Sequence, residues 1–120
     1  MTLNRKLLLY HRDGGSFDIA AATRALTGLS GLAAIRHHPS EEAVVEVDYQ
    51  DNSGSATVRL NSSGDSILVT WSCDAALRAA VLLQQRYSTP IRAIDLDYSF
   101  DIDLSQITDC TALQQAIETR

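Results

Sequence analysis

Residues 94–104 read Ile94-Asp95-Leu96-Asp97-Tyr98-Ser99-Phe100-Asp101-Ile102-Asp103-Leu104. Every even position is apolar, and the odd positions are Asp95, Asp97, Ser99, Asp101 and Asp103. Successive side chains of a strand point to opposite faces, so the run predicts a strand with a greasy side and a carboxylate side. Same-side neighbours stand roughly 6.5–7 Å apart. A core explains the apolar side. Four carboxylates in a row repel one another, and the acidic side requires a partner, a cation or plain solvent exposure. Strands in small domains usually run about 5–6 residues, so a bend or bulge is expected near Tyr98 or Ser99, dividing the row into two pairs.

Outward from this run, the chain predicts an α+β fold with a mostly antiparallel sheet and helices on one face. Leu3–Tyr10 reads as a first strand. Its unbroken Leu7-Leu8-Leu9-Tyr10 suits a central position covered on both faces. Asp13-Gly14-Gly15-Ser16 is a turn, and Ser16 or Asp18 caps a helix with Ile19, Ala22, Leu26 and Leu29 on its apolar side. Gly28 or Gly31 ends that helix, and His37-His38-Pro39-Ser40 reads as a connection.

Three short strands follow, around Ala43–Gln50, Ala56–Asn61 and Ile67–Trp71, joined by turns at Asn52-Ser53-Gly54 and Ser62-Ser63-Gly64-Asp65. Ser72 or Asp74 caps a helix over about residues 74–87, which Ser88-Thr89-Pro90 stops. After the acidic run, Thr108 or Asp109 begins a last helix with Leu113, Ala116 and Ile117 inward. The expected order is β-α-β-β-β-α-β-α, a variant of the ferredoxin-like split βαβ with an added strand. No linker or repeat divides residues 1–120, so one domain is expected.

Composition narrows the function classes. Residues 1–40 carry five bases and two acids, whereas residues 41–120 carry five bases and thirteen acids, for a net charge of −5. An acidic C-terminal two-thirds argues against nucleic acid as partner, because phosphates attract Lys and Arg. It suits a basic protein partner. No stretch approaches a membrane span, and Leu7–Leu9 is too short for a signal peptide, so a cytoplasmic protein is expected. Cys73 and Cys110 lack CxxC spacing and read as free thiols.

Asp95, Asp97 and Ser99 open like a calcium loop, D-x-D-x-S. The match ends there: Phe100 stands where Gly is needed and Gln106 where a bidentate Glu is needed. Paired carboxylates can also serve hydrolysis, but such sites draw on several elements and aromatic platforms. Cys73 at a helix start would need a nearby base to be a nucleophile, and a structural Cys beside Trp71 is the simpler account. Adjacent His37-His38 do not share a face as a metal pair must. Gly14-Gly15-Ser16 lacks the flanking residues of a phosphate loop. No metal, cofactor or enzymatic activity is implied.

The segment Pro90-Ile91-Arg92 through Asp95-Leu96-Asp97-Tyr98-Ser99-Phe100-Asp101-Ile102-Asp103-Leu104, followed by Leu113-Gln114-Gln115-Ala116-Ile117, resembles the small acidic immunity proteins that bacteria encode beside secreted toxins. The resemblance covers about the last third of the chain and transfers no functional residue. It implies a protein that inhibits a cognate toxin by plugging a basic active site, often that of a nuclease, with an acidic surface that mimics phosphates. The residues expected to meet the partner are Asp95, Asp97, Asp101 and Asp103, joined by Glu46 and Asp48 if their strand is adjacent. The alternative is a small homodimeric ferredoxin-like regulatory or ligand-binding domain.

Overall fold

Residues 5–119 are described by a computed structural model. Along the chain they form β1 (Arg5–His11), α1 (Ile19–Thr27), β2 (Leu32–Ser40), β3 (Ala43–Asp51), β4 (Gly54–Asn61), β5 (Ile67–Trp71), α2 (Asp74–Arg86), β6 (Ile91–Asp95) and β7 (Asp101–Asp103). A single 3-10 turn at Leu104–Gln106 then leads into α3 (Cys110–Glu118). The strands form one seven-stranded sheet in the order β2-β3-β4-β5-β1-β6-β7, with every pairing antiparallel.

The α+β class with an antiparallel sheet is as the sequence predicts; the element order is not. Two strands are added. The first is β2, where the histidines and Pro39 read as a connection. It is an edge strand, the place where a sheet tolerates proline, and it pairs with β3 from Leu32↔Tyr49 to Ser40↔Ala43, with shifts in register near both ends. Its entry explains why Gly31 does not end the helix. Gly28 does that, while Gly31 takes a φ of 87° and its carbonyl accepts the Gln50 N–H at 2.9 Å. A Cβ there would sit 2.8 Å from the Gln50 carbonyl oxygen. The second addition comes from the acidic run, which folds into the β6–β7 hairpin. The first expected strand begins within residues 1–4, outside the described residues.

The core lies on one face of the sheet. Val47↔Val58↔Val69↔Leu7 and Leu60↔Ile67↔Leu9 are in register and buried, so the alternating apolar set of β1, β3, β4 and β5 points the same way. Helix α2 packs against β3, β4 and β5, α1 against β3 and β4, and α3 against α2. Asp18 caps α1 by accepting the Ala21 N–H at 2.9 Å, and Asp109 caps α3 by accepting that of Ala112 at 2.8 Å. Cys73 holds the cap position of α2 without a side-chain cap bond; its thiol donates to the Ser55 carbonyl at 3.6 Å. Among the described residues no helix is long and apolar enough to cross a membrane.

Among the described residues, no helix covers the opposite face of the sheet. Strand β1 is central, as expected, but Leu8 on this face is only half-buried, so the strand is not covered on both sides.

Candidate functional site

The register aligns one residue from each strand across the open face: Arg36, Glu46, Arg59, Leu68, Leu8, Ile94 and Asp101. Aliphatic residues occupy the middle of this row and charged residues both ends. At the β2 end, Glu46 is gripped from two sides. Arg36 Nη2 donates to Oε1 at 2.7 Å, and Arg59 Nε donates to Oε2 at 2.9 Å. Arg36 also forks onto Asp48, at 2.9 and 2.8 Å, and the Thr57 hydroxyl donates to the same carboxylate at 3.1 Å. Burial pushes Glu46 up, but the two guanidiniums outweigh it and hold the carboxyl below the usual range. The Arg36 hydrogen bonds lower Asp48 as well.

At the β7 end, Asp101 accepts from the Tyr10 hydroxyl at 2.8 Å and from Arg92 Nε at 2.7 Å. Asp103 caps the following 3-10 turn by accepting the Ser105 N–H at 3.0 Å, and Arg12 stands 3.8 Å away. Burial, helped by the Asp101 bond, pushes the Tyr10 phenol up to about 12.

Asp95 is elsewhere. Residues 96–100 form the connection of the hairpin, and Ile94↔Asp101 and Arg92↔Asp103 are cross-strand partners. The turn reverses the phase of the alternation. Asp95 pairs with Leu7 and points to the core face, whereas Asp101 and Asp103 share the open face with Ile94 and Arg92. The break expected near Tyr98 or Ser99 is this turn, and the four carboxylates do not form one acidic face. Glu46 and Asp48 are not its neighbours either, because β3 and β7 are five strand spacings apart, about 24 Å.

What Asp95 does is build the turn. Only 6% exposed, it accepts the Ser99 N–H at 2.7 Å and the Ser99 hydroxyl, while its own carbonyl takes the Tyr98 N–H at 3.1 Å. Burial raises its pKa, but Ser99 and then Arg5, 3.7 Å away, bring it below the ordinary value. Arg5 itself lies 3.8 Å over the Trp71 ring, which meets Phe100 edge-on at 5.9 Å. Tyr98 has a φ of 57°, a left-handed conformation that costs a tyrosine about 1–2 kcal/mol.

The turn presents Leu96, 65% exposed, and Tyr98, 63% exposed, on either side of Asp97. Asp97 is exposed and has no hydrogen bond or ion pair among the described residues. Asp97 is thus the one expected acid that remains free; Asp95, Asp101, Asp103, Glu46 and Asp48 are all engaged within the chain. The alternation had assigned Leu96 and Tyr98 to the core side. The signal against that reading was the length of the run, which exceeds an ordinary strand.

Among the described residues no group of three or more His, Cys, Asp or Glu converges as a metal site. Cys73 and Cys110 are free and half-buried, and burial pushes the Cys110 thiol up. The chain matches no family model, no curated protein and no solved structure.

Proposed function

We propose that this chain is a non-enzymatic protein-binding module, an immunity protein that neutralises a cognate bacterial toxin by occluding its active site. The observation that carries this reading is the pair Leu96 and Tyr98, one aliphatic and one aromatic side chain, both largely exposed, on a turn whose backbone Asp95 fixes; the Tyr98 hydroxyl reaches back to Asp101 at 3.5 Å. Rigid aromatic and aliphatic side chains that fill a partner's pocket supply most of the affinity of a typical interface. Burying each contributes about 1.5–3 kcal/mol. Asp97 stands between them as a free carboxylate, suited to Lys or Arg at the rim of a basic active site. A charge in that place mainly speeds association and sets specificity. The mechanism is an apolar plug with a single free charge. It replaces the four-carboxylate row, most of whose members are spent on internal arginines.

The test is capture of the product of a toxin-like gene adjacent to the gene for this chain, read by association and dissociation rates. Leu96→Ala with Tyr98→Ala is expected to speed dissociation, and Asp97→Lys to slow association most at low salt. A toxin neutralised equally well by the Leu96→Ala/Tyr98→Ala variant would remove the turn from the mechanism.

One observation favours the second reading, a homodimeric ferredoxin-like regulatory or ligand-binding domain. Strand β2 is an open edge, and its Ile35 is 43% exposed. A second copy pairing along β2 would cover it. Size-exclusion chromatography at several concentrations separates the readings, since a plug needs no dimer.

A further inference from the structure

Nine Lys and Arg residues lie among the described residues. Six of them, Arg5, Arg12, Arg36, Arg59, Arg78 and Arg92, are ion-paired. The remaining three are Lys6, on the open sheet face, and Arg24 and Arg86, which line one depression between α1 and α2 together with Tyr87 and Ser88. This chain has a surplus of acids, with a net charge of −5. Two arginines that line one depression without an ion pair among the described residues run against that surplus.

The Arg86 guanidinium lies against the end of α1. Gly28 caps α1 with a φ of −95°, which any residue adopts, so its dihedral does not require glycine. The contact shows where Arg86 lies: a Cβ on Gly28 would meet the Arg86 guanidinium, 2.8 Å from its Cζ, so Gly28→Ala would push that flexible side chain aside. The guanidinium rests on the bare cap. Gly28 follows Arg24 by one helical turn, and its N–H donates to the Arg24 carbonyl at 3.0 Å, so Arg86 lies along the side of α1 that carries Arg24. The Tyr87 hydroxyl accepts the Asp18 N–H at 3.0 Å, tying the end of α2 to the start of α1. The Ser88 hydroxyl is exposed and unpartnered among the described residues. Each arginine also stands in the last turn of its own helix, where a cation offsets the dipole. That accounts for one charge at each helix end, but not for their meeting in one depression.

We propose that Arg24, Arg86 and Ser88 form an oxyanion site that takes a phosphate-type dianion. Two guanidinium forks match the oxygens of a phosphate and balance its double charge, and the serine hydroxyl adds a third donor. The site lies at the opposite end of β6 from the Leu96–Tyr98 turn, since Ser88 precedes the strand and the turn follows it. It is independent of the docking reading above and stands or falls separately.

The experiment is a titration of the isotope-labelled full chain with inorganic phosphate at constant ionic strength, followed by the Arg Nε–H signals and the Ser88 amide. Sodium acetate serves as a parallel monoanionic probe. Saturable shifts at Arg24, Arg86 and Ser88 are expected, with acetate binding at least about tenfold more weakly. Arg24→Gln with Arg86→Gln is expected to abolish saturation. Gly28→Ala, which displaces Arg86 without removing charge, is expected to weaken phosphate by about tenfold. The site is refuted if phosphate shifts rise linearly and equally in wild type and the Arg24→Gln/Arg86→Gln variant. Acetate binding as tightly as phosphate would overturn the dianion assignment.

Discussion

The Asp95 carboxylate accepts the Ser99 backbone N–H at 2.7 Å, four residues along a chain that reverses direction between them. The bond converts an alternating run into a hairpin. Asp95→Ala leaves that N–H without its acceptor, and a lost partner of this kind costs about 1–3 kcal/mol. Urea unfolding of Asp95→Ala is expected to show a loss of about 2 kcal/mol with an unchanged slope. Asp95→Asn, which keeps one acceptor oxygen, loses less.

Tyr98 holds a left-handed backbone at φ 57°. Glycine adopts that region without steric penalty, so Tyr98→Gly is expected to raise stability by about 0.5–1 kcal/mol. If the turn is the docking element, the same variant binds the partner more weakly. Thermal melts and partner affinity measured together check both halves, and a destabilised variant would mean that the Tyr98 ring matters to the fold.

Asp97 and Asp101 separate charge from structure. Asp97→Lys touches no internal partner and is expected to leave stability within about 0.5 kcal/mol of wild type. Asp101→Lys faces Arg92 and removes the acceptor of the Tyr10 hydroxyl. It is expected to lose about 1–2 kcal/mol. Asp103→Lys adds to the loss by removing the cap of Ser105. Denaturant unfolding of the three variants, side by side, tests the split.

Glu46 joins Arg36 and Arg59 across three strands. Glu46→Ala leaves the two guanidiniums on either side of an empty position, and a loss of about 1–3 kcal/mol is expected. Arg36→Ala alone should cost less, because Arg59 still engages Glu46. A double-mutant cycle between positions 36 and 46 is expected to give a favourable coupling that shrinks as salt is added.

Stability is expected to fall at both ends of the pH range. Burial raises Glu46, Asp51 and Asp95, but the arginines and the hydrogen bonds from Ser53 and Ser99 outweigh it, so all three lie below the ordinary carboxylate range. Their contribution is complete above about pH 5 and is lost as pH falls through about 4 and into the depressed range. Tyr10 works in reverse. Its phenol is favoured neutral in the folded state, so its contribution is whole below about pH 10 and lost as pH rises through about 12. Melting curves across pH, with Tyr10→Phe as the alkaline control, read both limbs. A tyrosinate titration lacking a late component in Tyr10→Phe would identify the group.

The elements that local chemistry specifies were legible along the chain. Asp18 and Asp109 cap the helices for which they are suited, and Gly28 ends the first of them. The alternation of β3, β4 and β5 set their core faces, and α2 begins within a residue of its expected start. Strand β2 was hidden because Pro39 and the paired histidines break its pattern; only the neighbouring β3 supplies the ladder that makes it a strand.

By itself, the sequence determined an α+β domain with an antiparallel sheet, because periodicity and capping act over a few residues. It also showed that 94–104 is long for one strand of a small domain, so that a break is expected within it. The tertiary structure alone decided which carboxylates are free. Charge is read from composition, but neutralisation depends on arginines brought over by pairing: Arg36 and Arg59 to Glu46, Arg92 to Asp101, Arg5 to Asp95. It also decided that Leu96 and Tyr98 face outward. One turn in a run of period two exchanges the two faces, and the residues between the arms belong to neither.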